Sequence, residues 1–432
     1  MTPSTEKMLH GLQQDSFDYF LREHDPVTGL VSDKTGGRSP ASIAVIGLSL
    51  AAHLVGVERG FVSRREALRR ALATARFFDA SEQGPGPGTT GDHGFFYHFL
   101  DMARGKRAWK CELSTIDTGL LLLGLLAVKQ YFCADNPRER ELRERVAAIY
   151  RRVDWNWARD GDLALSHGYT PERGFLRDRW RGYNEALPLY LLGLGSPTHP
   201  LPAASYPAWT KTYRWKHLYG RDYLYAGPLF IHQFLHLWID FRGLQDDFMR
   251  RKSSDYFENS RRATYVQSEY CRRNPRGLKG YSALSWGITA CDGPGPCTRR
   301  EGGERRHFYG YHARGVPFGP DDGTISSGAA VASLPFAPEL VLPTMEHLLA
   351  SPVGRRTRCG FAASFNPLFR DSSRLGFWRS RYNFGLNHGP IILMIENYRS
   401  GLLWDLMRGC RPIGKGLRRA GFAGGWLRPS SA

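Results

Sequence analysis

Carboxylates set among aromatic residues are the groups in this sequence best placed to do chemistry. Glu185 stands in Arg181-Gly182-Tyr183-Asn184-Glu185-Ala186, ahead of the apolar run Leu187, Leu189, Tyr190, Leu191 and Leu192. A carboxyl at the mouth of a buried helix is partly desolvated, which raises its pKa and suits a general acid. Asp292 lies in Thr289-Ala290-Cys291-Asp292-Gly293-Pro294, Asp321 and Asp322 in Asp321-Asp322-Gly323-Thr324, and Glu396 in Ile395-Glu396-Asn397-Tyr398-Arg399. Each also has a plainer structural reading. Asp117 fits the third residue of a helix capping box, Asp321 or Asp322 a helix cap, and Glu396 a buried acid paired with Arg399.

Aromatic residues make up 13% of the chain and gather between the helices, among them Phe95-Phe96-Tyr97, Trp109, Trp180, Tyr183, Trp286, Tyr311 and Trp378. Flat rings with polar edges suit stacking on sugar faces. Other chemistries leave no signature: there is no nucleophile elbow, no phosphate loop with its lysine, no zinc-protease helix and no dinucleotide fingerprint. His232 and His236 share a helix face but have no acidic neighbour in sequence. The seven cysteines form no C-x-x-C pair, so no metal site is expected. Cys291 and Cys297 flank a turn and could pair only in an oxidising compartment.

The elements that must position these groups read as helices. They are expected near 9–23, 41–59, 64–80, 115–132, 137–153, 183–194, 228–239, 243–273, 325–333, 338–349 and 389–409. Ser63-Arg64-Arg65-Glu66 and Ser114-Thr115-Ile116-Asp117 open two of them as capping boxes. Some helices are apolar all round and others amphipathic and arginine-rich, so buried and half-exposed helices alternate. Two concentric layers follow, and the expected fold is all-α, an (α/α)6 toroid. Its long connections (81–113, 154–182, 196–227, 274–324, 351–388) would collect at one rim to shape a cleft. The expected organisation is one domain over 1–410 and a flexible basic tail over 411–432.

The 432 residues carry a net charge of +18, with 59 lysines and arginines of which ten are lysine. These charges are dispersed, not gathered on one arm or face, so no specific nucleic-acid partner is expected. No apolar stretch is long enough for a transmembrane helix, and no signal peptide is visible. The sequence as written reads as cytoplasmic, or periplasmic or secreted if a leader has been removed, and as a monomer.

Several ordered motifs together resemble the bacterial glucoamylase-like domain family related to glycoside hydrolase family 144, the endo-β-1,2-glucanases. They are Val55-Gly56-Val57-Glu58-Arg59-Gly60-Phe61, Ser114-Thr115-Ile116-Asp117-Thr118, Arg181-Gly182-Tyr183-Asn184-Glu185-Ala186, Gly195-Ser196-Pro197-Thr198-His199-Pro200, Trp286-Gly287-Ile288-Thr289-Ala290, Asp321-Asp322-Gly323-Thr324-Ile325 and the stretch from Gly389-Pro390 to Tyr398-Arg399. The resemblance runs from about Leu12 to Arg408. It implies the same toroid, and hydrolysis of β-1,2-linked glucan by inversion, without metal or organic cofactor. By motif Glu185 resembles the general acid and Asp117 a cleft carboxylate. Tyr183, Asn184, Trp286, Asp292, Asp321, Asp322, His388 and Glu396 are expected around the substrate. The family's other catalytic candidate is an Asp two residues before the Gly-Pro of the late helix, and here that position is Asn387. An amide cannot take a proton from water. Either His388 or another residue such as Asp322 supplies the base, or the reaction has changed, for example to transglycosylation, or the protein binds glycan without cleaving it. A polysaccharide lyase using the arginine surplus to hold uronates is a further alternative.

Overall fold

Two helices that are apolar on every side, Ile43–Glu58 and Thr115–Tyr131, pack together through glycine. A Cβ at Gly47 would fall 2.2 Å from the Leu120 carbonyl oxygen, and one at Gly124 2.2 Å from that of Gly47, so only hydrogen fits at either point. This pair belongs to a computed structural model that describes residues 2–301, 303–354 and 357–427. The chain is mostly helical and divides into two compact units. A first unit holds residues 1–19, 214–237 and 257–400, and a second holds 20–213, 238–256 and 401–432. Helical periodicity reports which face is buried and not against which segment, so this division leaves no mark in the sequence.

In the second unit the amphipathic helices Arg64–Ala80 and Pro137–Arg152 lie side by side. Ser63 and Asn136 cap them, accepting from the Glu66 and Glu139 amides at 3.2 and 3.0 Å. Arg145 bonds Asp79 and Glu141, both at 2.8 Å, and so ties the pair. The short helix Leu187–Gly195 rests on Arg411–Arg419, where a Cβ at Gly416 would fall 2.0 Å from the Leu191 carbonyl oxygen. The expected flexible tail is therefore folded as far as Leu427, with Ile413 and Leu417 fully buried. Its charge suggested a solvated segment, but Arg419 donates to the Leu194 and Leu201 carbonyls and Lys415 to that of Ser196, so these cations close helix and loop ends. Residues 428–432 of the expected tail lie outside the described residues.

The connections are not structureless, which departs from the all-α expectation. In the second unit a five-stranded antiparallel sheet runs Gly91–Asp92, Phe95–Tyr97, Leu113–Ser114, Gly168–Thr170, Gly174–Phe175, with Phe96 opposite Ser114 and Leu113 opposite Tyr169. Strands of two or three residues are too short for any alternation to show in sequence. This sheet delivers the chain directly into the Thr115–Tyr131 helix.

The first unit has its own core, including Trp286, Ile288, Ile325, Met345, Leu348, Ile391 and Ile395. The helices Pro338–Ala350 and Gly385–Arg399 supply much of it. Several helices are shorter than their apolar patterns suggest. The 243–273 pattern breaks into Asp247–Arg251 and Tyr256–Arg273, and the 389–409 pattern into Gly385–Arg399 and Leu402–Arg408, with Gly401 at φ +75° between the last two. A left-handed residue ends one helix and re-aims the next. Among the described residues no two cysteines form a disulfide, Cys291 and Cys297 included.

Candidate active site

Glu185 sits in a turn immediately before the Leu187–Gly195 helix, not in the helix's first turn. The turn is built by its neighbours. Gly182 has φ +76°, and a Cβ there would meet Thr212 Oγ1 at 2.8 Å. Its amide donates to the Trp209 carbonyl at 2.7 Å. Asn184 Oδ1 accepts from the Ala186 amide and from Trp209 Nε1, each at 3.1 Å. Tyr183 is buried against Tyr213 and Tyr256, with ring centroids 5.8 and 6.1 Å away. Tyr183 and Asn184, expected to touch substrate, also brace the loop that carries Glu185.

Asp117 enters on the other element of this site, the first turn of the Thr115–Tyr131 helix. Half of the expected capping box is present: Ser114 Oγ accepts from the Asp117 amide at 3.2 Å, while Asp117 Oδ2 accepts from the Ser114 hydroxyl at 2.5 Å and not from its amide. Thr115 Oγ1 accepts from Trp180 Nε1 at 2.9 Å and donates to the Ser166 carbonyl at 2.7 Å, which fixes the helix start. Three residues that sequence reasoning missed complete the cluster. His98 Nδ1 lies 3.0 Å from Glu112 Oε1, and its Nε2 lies 3.6 Å from Asp117 Oδ2. Asp33 adds a third carboxylate to the same electrostatic neighbourhood. The only signal for His98 was its place in an aromatic-rich connection, and Asp33 carried none.

The charges of this cluster pull its groups apart. Burial, with the negative charge of Asp117 adding to it, pushes the Glu185 carboxyl up to about 7, although its own backbone amide pulls the other way. Burial likewise raises Asp33 to about 6, against the pull of His98 and Lys34. Burial opposes the charged form of His98, but Asp117 and the Glu112 hydrogen bond outweigh it and raise the imidazole to about 9. The site therefore combines a carboxyl protonated near neutral pH with an imidazolium bridging two acids. The His98, Glu112 and Asp117 ligand atoms all lie within 4.8 Å of one another, close enough for a metal ion. Yet the two imidazole nitrogens face different carboxylates, and an imidazolium offers no lone pair, so this geometry is that of an ion bridge. His232 and His236 do not converge either: the first faces the Ala226 carbonyl at 3.3 Å and the second Ser260 Oγ at 3.0 Å.

In the first unit most of the expected site residues are buried, and several are hydrogen-bonded within the protein. Both carboxylate oxygens of Asp322 are bonded by Arg314, at 2.7 and 2.9 Å, and by the Tyr309 and Thr324 amides, with neither side chain of the ion pair exposed. Asp321 accepts from the Tyr270 and Tyr281 hydroxyls at 2.8 and 2.5 Å. Trp286 is fully buried and donates to Thr344 Oγ1 at 3.0 Å. Glu396 accepts from Gln13 and Ser400 at 3.1 and 2.6 Å, and Arg399 turns to Glu6 and Gln13 and not to Glu396. His388 is buried against Tyr19 at 5.3 Å, and burial lowers it to about 3, so it is a neutral core imidazole. These corrections share one cause: a motif shows that a polar residue is held in place, not whether it faces solvent. Asn387 remains half-buried in the first turn of Gly385–Arg399. Asp292 is the expected substrate carboxylate that does face open space. It accepts from Ser380 Oγ at 2.7 Å and lines a pocket of about 510 Å³ with Trp378, Arg379, Arg381 and Tyr382.

The family model described as "Putative glucoamylase" matches residues 177–411. The chain belongs to this glucoamylase family. A crystal structure from Bacteroides fragilis, described as a "putative glucoamylase", is 30% identical, with 98% of each chain covered and a TM-score of 0.85. The endo-β-1,2-glucanase of Chitinophaga pinensis, solved with sophorotriose and glucose, is 28% identical, covering 99% of this chain and all of its own, at a TM-score of 0.86. An exo-β-1,2-glucooligosaccharide sophorohydrolase of Parabacteroides distasonis is 25% identical over 96% of this chain. This glucoamylase-family chain spans 58% of that protein's length.

Proposed function

We propose that this family member is a glycoside hydrolase acting on β-1,2-linked glucan by an inverting acid–base mechanism. The observation that carries the reading is the Glu185 carboxyl, pushed up to about 7 beside Asp117. Such a group holds its proton near neutral pH and can pass it to a departing glycosidic oxygen. Asp117 is the base that takes a proton from the attacking water. This choice over the other bases that the Asn387 position left open is supported by the ion pair of Asp322 with Arg314 and by the burial of His388. The choice of β-1,2-glucan is supported by the substrates in the names of the relatives. The (α/α)6 toroid is part of the same reading, supported by the alternation of buried and amphipathic helices.

Incubation with linear β-1,2-glucan, followed by analysis of product length and anomeric configuration, tests this. Short sophoro-oligosaccharides of inverted configuration are expected from the unaltered protein, and none above background from Glu185→Gln. Full activity in that variant overturns the assignment of Glu185. For Asp117→Ala, azide is expected to restore turnover as a glycosyl azide, and its failure to do so while rescuing Asp33→Ala moves the base to Asp33. A second reading rests on Asn387, which puts an amide where family resemblance expects an acid. In that reading the protein transfers glycosyl units to sugar acceptors, and longer oligosaccharides accumulate instead of shorter ones.

A further inference from the structure

Beside the acid cluster of the second unit stands an aromatic surface that no step above uses. Trp109 is 67% exposed, the one tryptophan among the described residues that is exposed. Such an indole offers a large flat apolar face with a polar N–H edge. It is presented by an unusual turn. Trp109 and Lys110 both have φ +53°, a left-handed conformation that side chains with a Cβ rarely adopt, here in two consecutive residues.

The turn is held in that shape by Arg107, whose side chain is 3% exposed. Its Nε donates to the Cys111 carbonyl at 2.6 Å and its Nη2 to the Lys110 carbonyl at 2.7 Å. The same guanidinium grips Glu172 with two bonds, at 2.7 and 3.0 Å, and lies over the Tyr97 ring at 4.9 Å. A planar fork of five donors is the one side chain that can satisfy all of these acceptors at once. The strained turn is thus built from beneath.

The Trp109 ring continues a file of rings that leads to the acid cluster. Its centroid is 5.1 Å from Phe99, and Phe99 stacks on His98 at 4.0 Å with 13° between the planes. His98 in turn bridges Glu112 and Asp117. Trp109 is thus linked to Asp117 through two intervening rings, those of Phe99 and His98.

We infer that Trp109 is a stacking platform for a glucosyl ring of the bound chain, lying beyond the sugar at the Asp117–Glu185 cluster, and that Arg107 is its positioning residue. This rests on the glucan reading above. The occupant is the apolar C–H face of a β-linked glucosyl unit, whose hydroxyls stay in water. A largely exposed single indole matches that chemistry better than it matches a protein partner, which would cover it fully.

Binding in the Glu185→Gln background, where no cleavage interferes, tests the inference separately from the catalytic reading. Calorimetric titration with sophoropentaose and with sophorose is compared in Glu185→Gln alone and with Trp109→Ala, Trp109→Phe or Arg107→Lys added. Trp109→Ala is expected to weaken sophoropentaose binding about tenfold, with a smaller effect on sophorose. Trp109→Phe is expected to recover part of the loss, and Arg107→Lys to weaken binding in the same chain-length-dependent way. Tryptophan fluorescence quenched by sophoropentaose in the parent should be lost in Trp109→Ala, whose melting temperature reports its folding. Unchanged affinity for the longer chain in a folded Trp109→Ala protein overturns the platform and leaves the glucan reading intact. Absence of any binding by Glu185→Gln alone overturns the glucan reading, and the platform with it.

Discussion

At the residue scale, function depends on how the charges around Glu185 are shared. Its carboxyl is raised to about 7 by burial and by Asp117, so the fraction able to donate a proton falls as pH rises through that value. The alkaline limb of kcat against pH is expected near 7, and Glu185→Gln should lower kcat by roughly 10²–10⁴-fold at all pH values. The same shift has a consequence for stability. Folded Glu185 binds its proton more tightly than an unfolded glutamate, so stability falls as pH rises from about 4.5 towards 7. Glu185→Gln should therefore raise the melting temperature at pH 8 relative to the unaltered protein and leave it little changed at pH 4. Thermal melts at the two pH values check this, and an equal shift at both contradicts it. His98 is raised as well, so its stabilising share is likewise lost as pH rises, here between about 6.5 and 9, but it is the charged form that its neighbours hold. Its imidazolium, lost only near pH 9, sits between Glu112 and Asp117, and His98→Gln removes the positive charge that these acids share. Loss of activity with the alkaline limb displaced is the expected signature, measured by pH–rate profiles of the two proteins.

At the element scale, the helix Thr115–Tyr131 carries Asp117 at one end and is gripped by Ile43–Glu58 along its length. Gly47 and Gly124 set that grip, since each faces backbone and not a flexible side chain. Gly124→Ala is expected to destabilise the protein by about 1–3 kcal/mol by overpacking, despite roughly 1 kcal/mol of better helix propensity. Denaturant unfolding measures it, and a stabilised variant would mean that the helices can separate at little cost. Much of this element was legible in advance: the capping serine, the buried all-round character and the end near residue 132 follow from the residues themselves. The two-residue strands beside it were not, because they are held by partners from distant segments.

At the scale of the whole molecule, the folded 411–419 segment and the buried ion pair carry stability in ways that charge alone does not suggest. Ending the chain at Cys410 removes Ile413 and Leu417, whose burial is worth ~1.5–3 kcal/mol each, and strips the cover from Leu187–Gly195. That truncation should lower the melting temperature by many degrees, whereas a flexible tail would leave it unchanged. The Arg314–Asp322 pair in the first unit is fully buried. Burial works to raise the Asp322 carboxyl, but Arg314 and the Tyr309 amide hold it below the ordinary carboxylate range. Its contribution is therefore present above that range and lost as pH falls through the lowered value. Arg314→Met leaves a buried unpaired carboxylate, at a cost of about 3–5 kcal/mol, and adding Asp322→Leu should return part of it, as urea titrations of the two variants would show.

What the sequence determined by itself was local. Helix starts follow from capping boxes, burial from apolar patterning, and the candidacy of Glu185 from a carboxyl placed before an apolar run. Family membership was also legible, because ordered motifs survive in sequence. Only the tertiary structure decided which polar residues face outward. Asp321, Asp322, Glu396 and Trp286 sit in motifs as distinctive as that of Glu185, yet they are hydrogen-bonded inside the protein, and His388 is buried. Asp33, His98 and Glu112 sit in no motif, yet they meet at Asp117. Electrostatic shifts depend on distance through space and on desolvation, and both are set when remote segments pack together. A chain of residue types encodes neither until it is folded.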